Sequence, residues 1–234
     1  MAIATDDTQT VTTPTFVQDW LATLADERLD DIVRDPARAA VFSTDMLVGF
    51  CDEGPLASPR VGALKSPVKA LFERAWDVGI REFVLTQDTH SEDTPEFRAY
   101  PPHCVRGTAE SQTIPELAQL PFADRFTVFE KNSLNPAIDT EFDAWWDRHP
   151  DLQTAIVVGN CTDFCVYQLA MHLRMRANAH NLPTFDVFVP VDCVDTFDIP
   201  AGAGTAMPHP GEFFHHVFLY HMAVNGIRIV RTLR

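Results

Sequence analysis

The chain has no long hydrophobic run. Among its 234 residues no stretch approaches the roughly 18 consecutive apolar residues of a membrane span. Lysine is scarce, three against fifteen arginines, and the formal net charge is −15. That balance offers no basic patch to nucleic-acid phosphates or to an anionic membrane surface, so both partner classes are excluded and a small-molecule partner is expected. Cysteine is sparse and odd in number. Cys51, Cys104, Cys161, Cys165 and Cys193 keep no regular spacing and include no C-x-x-C pair, which argues against a disulfide framework. Residues 1–14 lack the basic start and apolar block of a signal peptide and read as a flexible polar tail on a cytoplasmic protein. Nothing in the composition sets the oligomeric state, and a homo-oligomer is left open.

What is present is an alternation. Apolar runs that read as strands cover 38–44, 81–86, 125–130, 153–159, 184–190 and 227–231. Amphipathic stretches with helical spacing cover 16–33, 66–79, 113–120, 139–148, 163–179 and 211–225. Strands that are apolar throughout and separated by helices indicate a parallel sheet covered on both faces. The expected fold is α/β: a doubly wound three-layer sandwich around a mostly parallel six-stranded sheet, with residues 15–234 forming a single domain. Ligands of such sheets bind beyond the carboxyl ends of the strands. At four of those ends stand Asp45, Asp88, Lys131 and the segment Thr162-Asp163-Phe164-Cys165.

A cysteine entering a helix directly after a strand feels the positive end of the helix dipole, which favours the nucleophilic thiolate. Cys165 is in that position. Asp45 can take its proton, Lys131 can orient the aspartate, and backbone N–H groups of the 161–165 turn can hold an oxyanion. Taken singly, each has an ordinary reading: Asp45 as a turn residue, Lys131 as a solvated lysine, Cys165 as a core cysteine. Their convergence on one sheet edge favours the chemical one. His209, His215 and His216 cluster near the last helix and read as a helix-start and surface group.

Three segments resemble the isochorismatase-like cysteine hydrolases, and among them the nicotinamidases. Asp45-Met46-Leu47-Val48-Gly49-Phe50 is similar to the family's D-M-x-x-x-F segment with its catalytic aspartate, and Lys131 falls where the family has its lysine. Gly159-Asn160-Cys161-Thr162-Asp163-Phe164-Cys165-Val166 resembles G-x-x-T-D-x-C-V, whose cysteine is the nucleophile. The resemblance implies a cis peptide at Asn160–Cys161 that turns the Cys161 N–H toward the oxyanion beside that of Cys165. It also implies one divalent metal, zinc first, with iron or manganese as alternatives. Asp88, His90 and His103 map onto the family's ligands, the last within Pro102-His103-Cys104-Val105-Arg106-Gly107-Thr108, and Glu96 falls where many members carry histidine. Phe50 and Tyr100 fall where the family places aromatic walls. The implied activity is hydrolysis of nicotinamide to nicotinate and ammonia through a cysteine thioester, a step of NAD salvage. The alternatives are a relative acting on another small amide or carbamoyl compound, a group that generally lacks the metal, and a catalytically idle binding member.

Overall fold

The computed structural model describes residues 12–200 and 207–234. Six parallel strands form the main sheet: β1 (Ala39–Thr44), β2 (Glu82–Asp88), β3 (Thr127–Lys131), β4 (Thr154–Asn160), β5 (Asp186–Pro190) and β6 (Arg228–Val230). Their spatial order is β3-β2-β1-β4-β5-β6, and the short strand Val194–Asp195 also pairs with β4. The order reverses between β1 and β4, so the switch point, and the crevice it opens, lies between those two strands.

β1 and β4 are buried at every position because both faces of the sheet are covered. Val41, Phe83, Leu85, Ile156 and Val158 point to one side, where they pack with Val68, Leu71, Phe72 and Ala75 of helix α2. Ala40, Phe42, Val84, Ala155 and Val157 point to the other. There they meet α3, α4 and α5 through residues such as Trp145, Leu169 and Leu219. Naming helices in chain order, α1 is Thr15–Ala22, α2 Lys65–Asp77, α3 Phe142–Asp147, α4 Cys165–Ala179 and α5 Gly211–Val224. The alternation of neighbouring residues between two cores is the period-two signature of a strand buried on both sides. The expected three-layer α/β sandwich is therefore what forms.

Two expectations need correction. The helix expected over 16–33 stops at Ala22, because Asp26–Glu27 pairs in parallel with Thr232–Leu233 and Asp26 takes ion pairs from Arg231 and Arg234. A distant chain end thus overrides local helical spacing, and a short helix, Leu29–Ile32, follows the interruption. The expected tail 1–14 lies mostly outside the described residues. At its described end Thr13 is buried and its hydroxyl pairs with His216 Nδ1 at 3.0 Å. His209 and His215 are buried rather than on the surface. All five cysteines are free and buried. Among the described residues no helix is long and apolar enough to cross a membrane.

At the switch point the two central strands approach closely. Gly159 pairs with Thr44 and has φ of +108°. A Cβ at this position would stand 2.0 Å from the Thr44 carbonyl oxygen, so the sheet leaves no room for a side chain. Gly159→Ala is expected to destabilise the fold by about 3 kcal/mol or more. Urea denaturation measures this directly, and a loss below about 1 kcal/mol would contradict the packing argument.

Candidate active site

Strand register brings the site together. Asp88 and Lys131 are direct partners across β2 and β3, Asp45 follows the end of β1, and Cys165 opens α4 just after β4. Lys131 is 1% exposed, the reverse of a solvated lysine. Its ammonium donates to Asp45 Oδ2 at 2.9 Å, to Asp88 Oδ1, and to Cys165 Sγ at 3.4 Å. Asp45 has φ of 53°, a left-handed conformation rare outside glycine. It is held on every side: its N–H donates to Thr86 O, its carbonyl accepts from Asn160 Nδ2, and its Oδ1 accepts from the Asp88 N–H at 2.7 Å.

Two buried carboxylates sharing one ammonium are driven apart in acidity. Burial, and then the Asp88 charge, raise Asp45 to about 6 against the pull of Lys131. Burial acts in the same direction on Asp88, but the charge of Lys131 beside it outweighs burial and brings Asp88 to about 2. Burial and the Asp45 charge push the Cys165 thiol well above the ordinary thiol range, although Lys131 opposes them. The helix dipole thus does not leave a thiolate at rest. The thiol keeps its proton until a base removes it, and Asp45 is the carboxylate in position to do so.

The Asn160–Cys161 peptide is cis. The N–H groups of Cys161 and Cys165 have no hydrogen-bond acceptor among the described residues, and no side chain caps α4. Two donors therefore stand free around the thiol. The turn containing them lies against a pocket whose lining includes Asp45, Asp88, Cys161 and Cys165. Phe50 and Tyr100 form part of its wall, as the sequence suggested. Phe164, Phe197, Leu56 and Leu134 complete the wall, and sequence reasoning assigned none of these a role. Phe164 was within reach, being the variable position of the motif. The others come from loops that carry no periodic signal.

Beside the thiol, ligand atoms of Asp88, His90 and His103 lie within 4.8 Å of one another. Both rings are oriented for ligation. His90 Nδ1 is 3.0 Å from Asn132 Oδ1, and His103 Nδ1 is 2.9 Å from the Pro101 carbonyl. Each Nδ1 faces an oxygen acceptor and so carries the hydrogen, which leaves each Nε2 with its lone pair. His90 Nε2 is buried with no hydrogen-bond partner, an orphaned acceptor of the kind a metal ion satisfies. Asp88 commits Oδ1 to Lys131 and keeps Oδ2 facing His90 Nε2 at 3.5 Å. These donors fit a divalent transition metal. Glu96 stands outside the 4.8 Å cluster, with Oε1 3.9 Å from His103 Nε2, on the cavity lining.

A buried acid, ammonium and thiol thus meet at the switch point of a doubly wound three-layer α/β sheet, where such sheets place their ligand sites. The isochorismatase domain model matches residues 39–207, and the chain belongs to the isochorismatase family of hydrolases. It is 31% identical over 229 residues to nicotinamidase 1 of Arabidopsis thaliana, a match covering 89% of this chain and 91% of that one. Two solved structures share the fold. The pyrazinamidase of Pyrococcus horikoshii in complex with zinc has a TM-score of 0.64 at 22% identity, covering 83% of this chain and 99% of that one. The N-carbamoylsarcosine amidase of Thermoplasma acidophilum has a TM-score of 0.63 at 23% identity, covering 83% and 96%.

Two outcomes are expected. Elemental analysis of purified protein should find about one divalent transition metal per chain, falling at least about tenfold in His90→Ala and in His103→Ala. Unchanged metal content would remove those two ligands. Separately, His215 lies under the catalytic turn, its Nδ1 2.8 Å from Thr162 Oγ1. Burial takes its imidazole from 6.5 down to about 4 against the pull of Asp195. Between those values the unfolded chain binds a proton that the folded chain refuses. Stability should therefore be complete above 6.5 and fall toward pH 4, by roughly 3 kcal/mol in all. Denaturation at stepped pH should show that loss, and His215→Gln should flatten it.

Proposed function

We propose that this protein hydrolyses nicotinamide to nicotinate and ammonia. The observation that carries the reading is the meeting of Asp45 and Cys165 on the lining of an aromatic-walled cavity, with the Lys131 ammonium donating to both, next to the Nε2 atoms of His90 and His103. A flat ring suits walls made by Phe50, Tyr100, Phe164 and Phe197. Charge supports a neutral amide. Among the described residues no arginine or lysine lines the cavity, and the Lys131 ammonium is committed to two carboxylates. Residues 1–11 and 201–206 contain no arginine or lysine to supply the missing cation. N-carbamoyl amino acids carry a carboxylate that this lining would repel, which weighs against the carbamoyl alternative.

In the proposed reaction Asp45 takes the Cys165 proton as Sγ bonds to the carboxamide carbon. The Cys161 and Cys165 N–H groups hold the oxyanion. Asp45 returns the proton to the leaving nitrogen, the C–N bond breaks, and ammonia departs. Water, deprotonated by Asp45, then attacks the thioester, the C–S bond breaks, and nicotinate is released as the thiol regains its proton. Lys131 keeps Asp45 aimed at the sulfur throughout. A divalent metal held by Asp88, His90 and His103, with Glu96 reaching it directly or through water, would serve as a Lewis-acid anchor for the ring nitrogen.

Ammonia release from nicotinamide by metal-replete protein tests the reading, and Cys165→Ala should lower it by about 10⁴-fold or more. Asp45 works as a base and must be ionised. With Asp45 at about 6, kcat/KM should be flat above that pH and fall tenfold per unit below it. No release from nicotinamide alongside turnover of an anionic carbamoyl compound would replace this reading with the carbamoyl one.

A further inference from the structure

The family motif contains a second acid, Asp163, which the proposed reaction does not use. It stands midway between the two free amides of Cys161 and Cys165, and its side chain is buried. An unneutralised carboxylate there would oppose every negative charge the reaction creates, on the sulfur and on the oxyanion alike. Its field already reaches the site, since its charge pushes the Tyr100 hydroxyl and the Cys161 thiol up and so makes both weaker acids.

Among the described residues the carboxylate has one side-chain partner. His209 Nε2 lies 2.7 Å from Asp163 Oδ2, while Asp163 Oδ1 is buried with no hydrogen-bond partner among them. The other ring nitrogen, Nδ1, lies 2.9 Å from the Phe197 carbonyl. Both nitrogens face oxygen acceptors, so the ring donates from both, the form in which it carries a positive charge. The ring is fixed between Phe197 at 4.1 Å and Phe214 at 4.5 Å, each nearly parallel to it. An aromatic sandwich suits a cationic ring. Main-chain bonds to Ile199 in both directions fix the His209 backbone.

We propose that His209 is a positioning residue whose positive charge neutralises Asp163 and so allows negative charge to form at Cys165 and in the oxyanion site. His209 touches neither substrate nor nucleophile. It acts through Asp163 on the acidity of the thiol and, through its stacking on Phe197, on one wall of the cavity. This inference rests on Cys165 being the nucleophile of the proposed reaction, but not on the identity of the amide.

The test reads the thiol without a substrate. Metal-replete protein is alkylated with iodoacetamide at fixed pH, and modification of Cys165 is followed by peptide mass mapping. His209→Gln keeps a donor for Asp163 but loses the charge. It should slow Cys165 alkylation by about tenfold. Removing the acid as well, in Asp163→Asn/His209→Gln, should restore the rate to within about threefold of wild type. Asp163→Asn alone should match or exceed the wild-type rate. A His209→Gln rate equal to wild type would make the contact a structural tie and overturn the proposal, as would a double variant as slow as His209→Gln. If His209→Gln lacks a cooperative thermal transition, Asp163→Asn decides: a tenfold slowing there overturns the proposal. Ammonia release from nicotinamide, measured on the same samples, should follow the same order in kcat. Alkylation in the expected order without ammonia release would overturn the nicotinamidase reading and leave the role of His209 standing.

Discussion

One buried ammonium organises this molecule. Lys131 Nζ sits where the ends of β1, β2 and β3 meet and binds a carboxylate from each of the other two strands. A charge so deep is tolerated only with partners, and removing one partner from such an arrangement typically costs several kcal/mol. The strands must therefore arrive in the register that sets Asp88 opposite Lys131. The same contacts separate the two acids in function. Asp88, paired with Lys131, stays ionised and keeps one oxygen toward the two imidazoles. Asp45, as deeply buried and facing the Asp88 charge, is left able to exchange a proton near neutral pH.

The rest of the cavity follows from that floor. The candidate metal-ligand cluster shares Asp88 with the ammonium, so a single side chain fixes the separation between that cluster and Lys131. The turn leading to Cys165 is pinned from below by Thr162 to His215 and from the side by Asp163 to His209. Above it, Tyr100 stands edge-on to both His103 and Phe164, and Phe164 stacks on Phe197. The walls are therefore attached to the same residues that set the charges. Binding and chemistry share one network of contacts.

Much of this was legible in the chain itself. The central strands β1, β2 and β4 were readable because they are buried on both faces and so largely apolar, whereas the edge strand β3 exposes Val128 and Glu130. Asp45, Lys131 and Cys165 were readable because each follows or ends such a strand. The helix over 16–33 was misread for a definable reason: its apolar spacing is local, whereas the break comes from Asp26 pairing with the distant segment at 231–234. The sequence showed a helix dipole favouring the Cys165 thiolate, because the start of a helix is visible in sequence. The burial and carboxylate charges that outweigh the dipole belong to residues tens of positions away. Asn132, which sets the tautomer of His90, sits beside Lys131 in sequence but carries no pattern that announces the role.

By itself, the sequence determined the layering, the order in which acid, ligands, lysine and thiol occur, and the edge of the sheet on which they emerge. Hydrophobic periodicity and strand ends are local properties, and one chain displays them. The tertiary structure decided which acid shares which oxygen, which imidazole nitrogen is left bare, that His209 and His215 are buried, and that Phe197 and Leu56 wall the cavity. Those outcomes depend on desolvation and on charges a few ångströms apart in space but far apart in the chain, and only the packed fold brings them within range of one another.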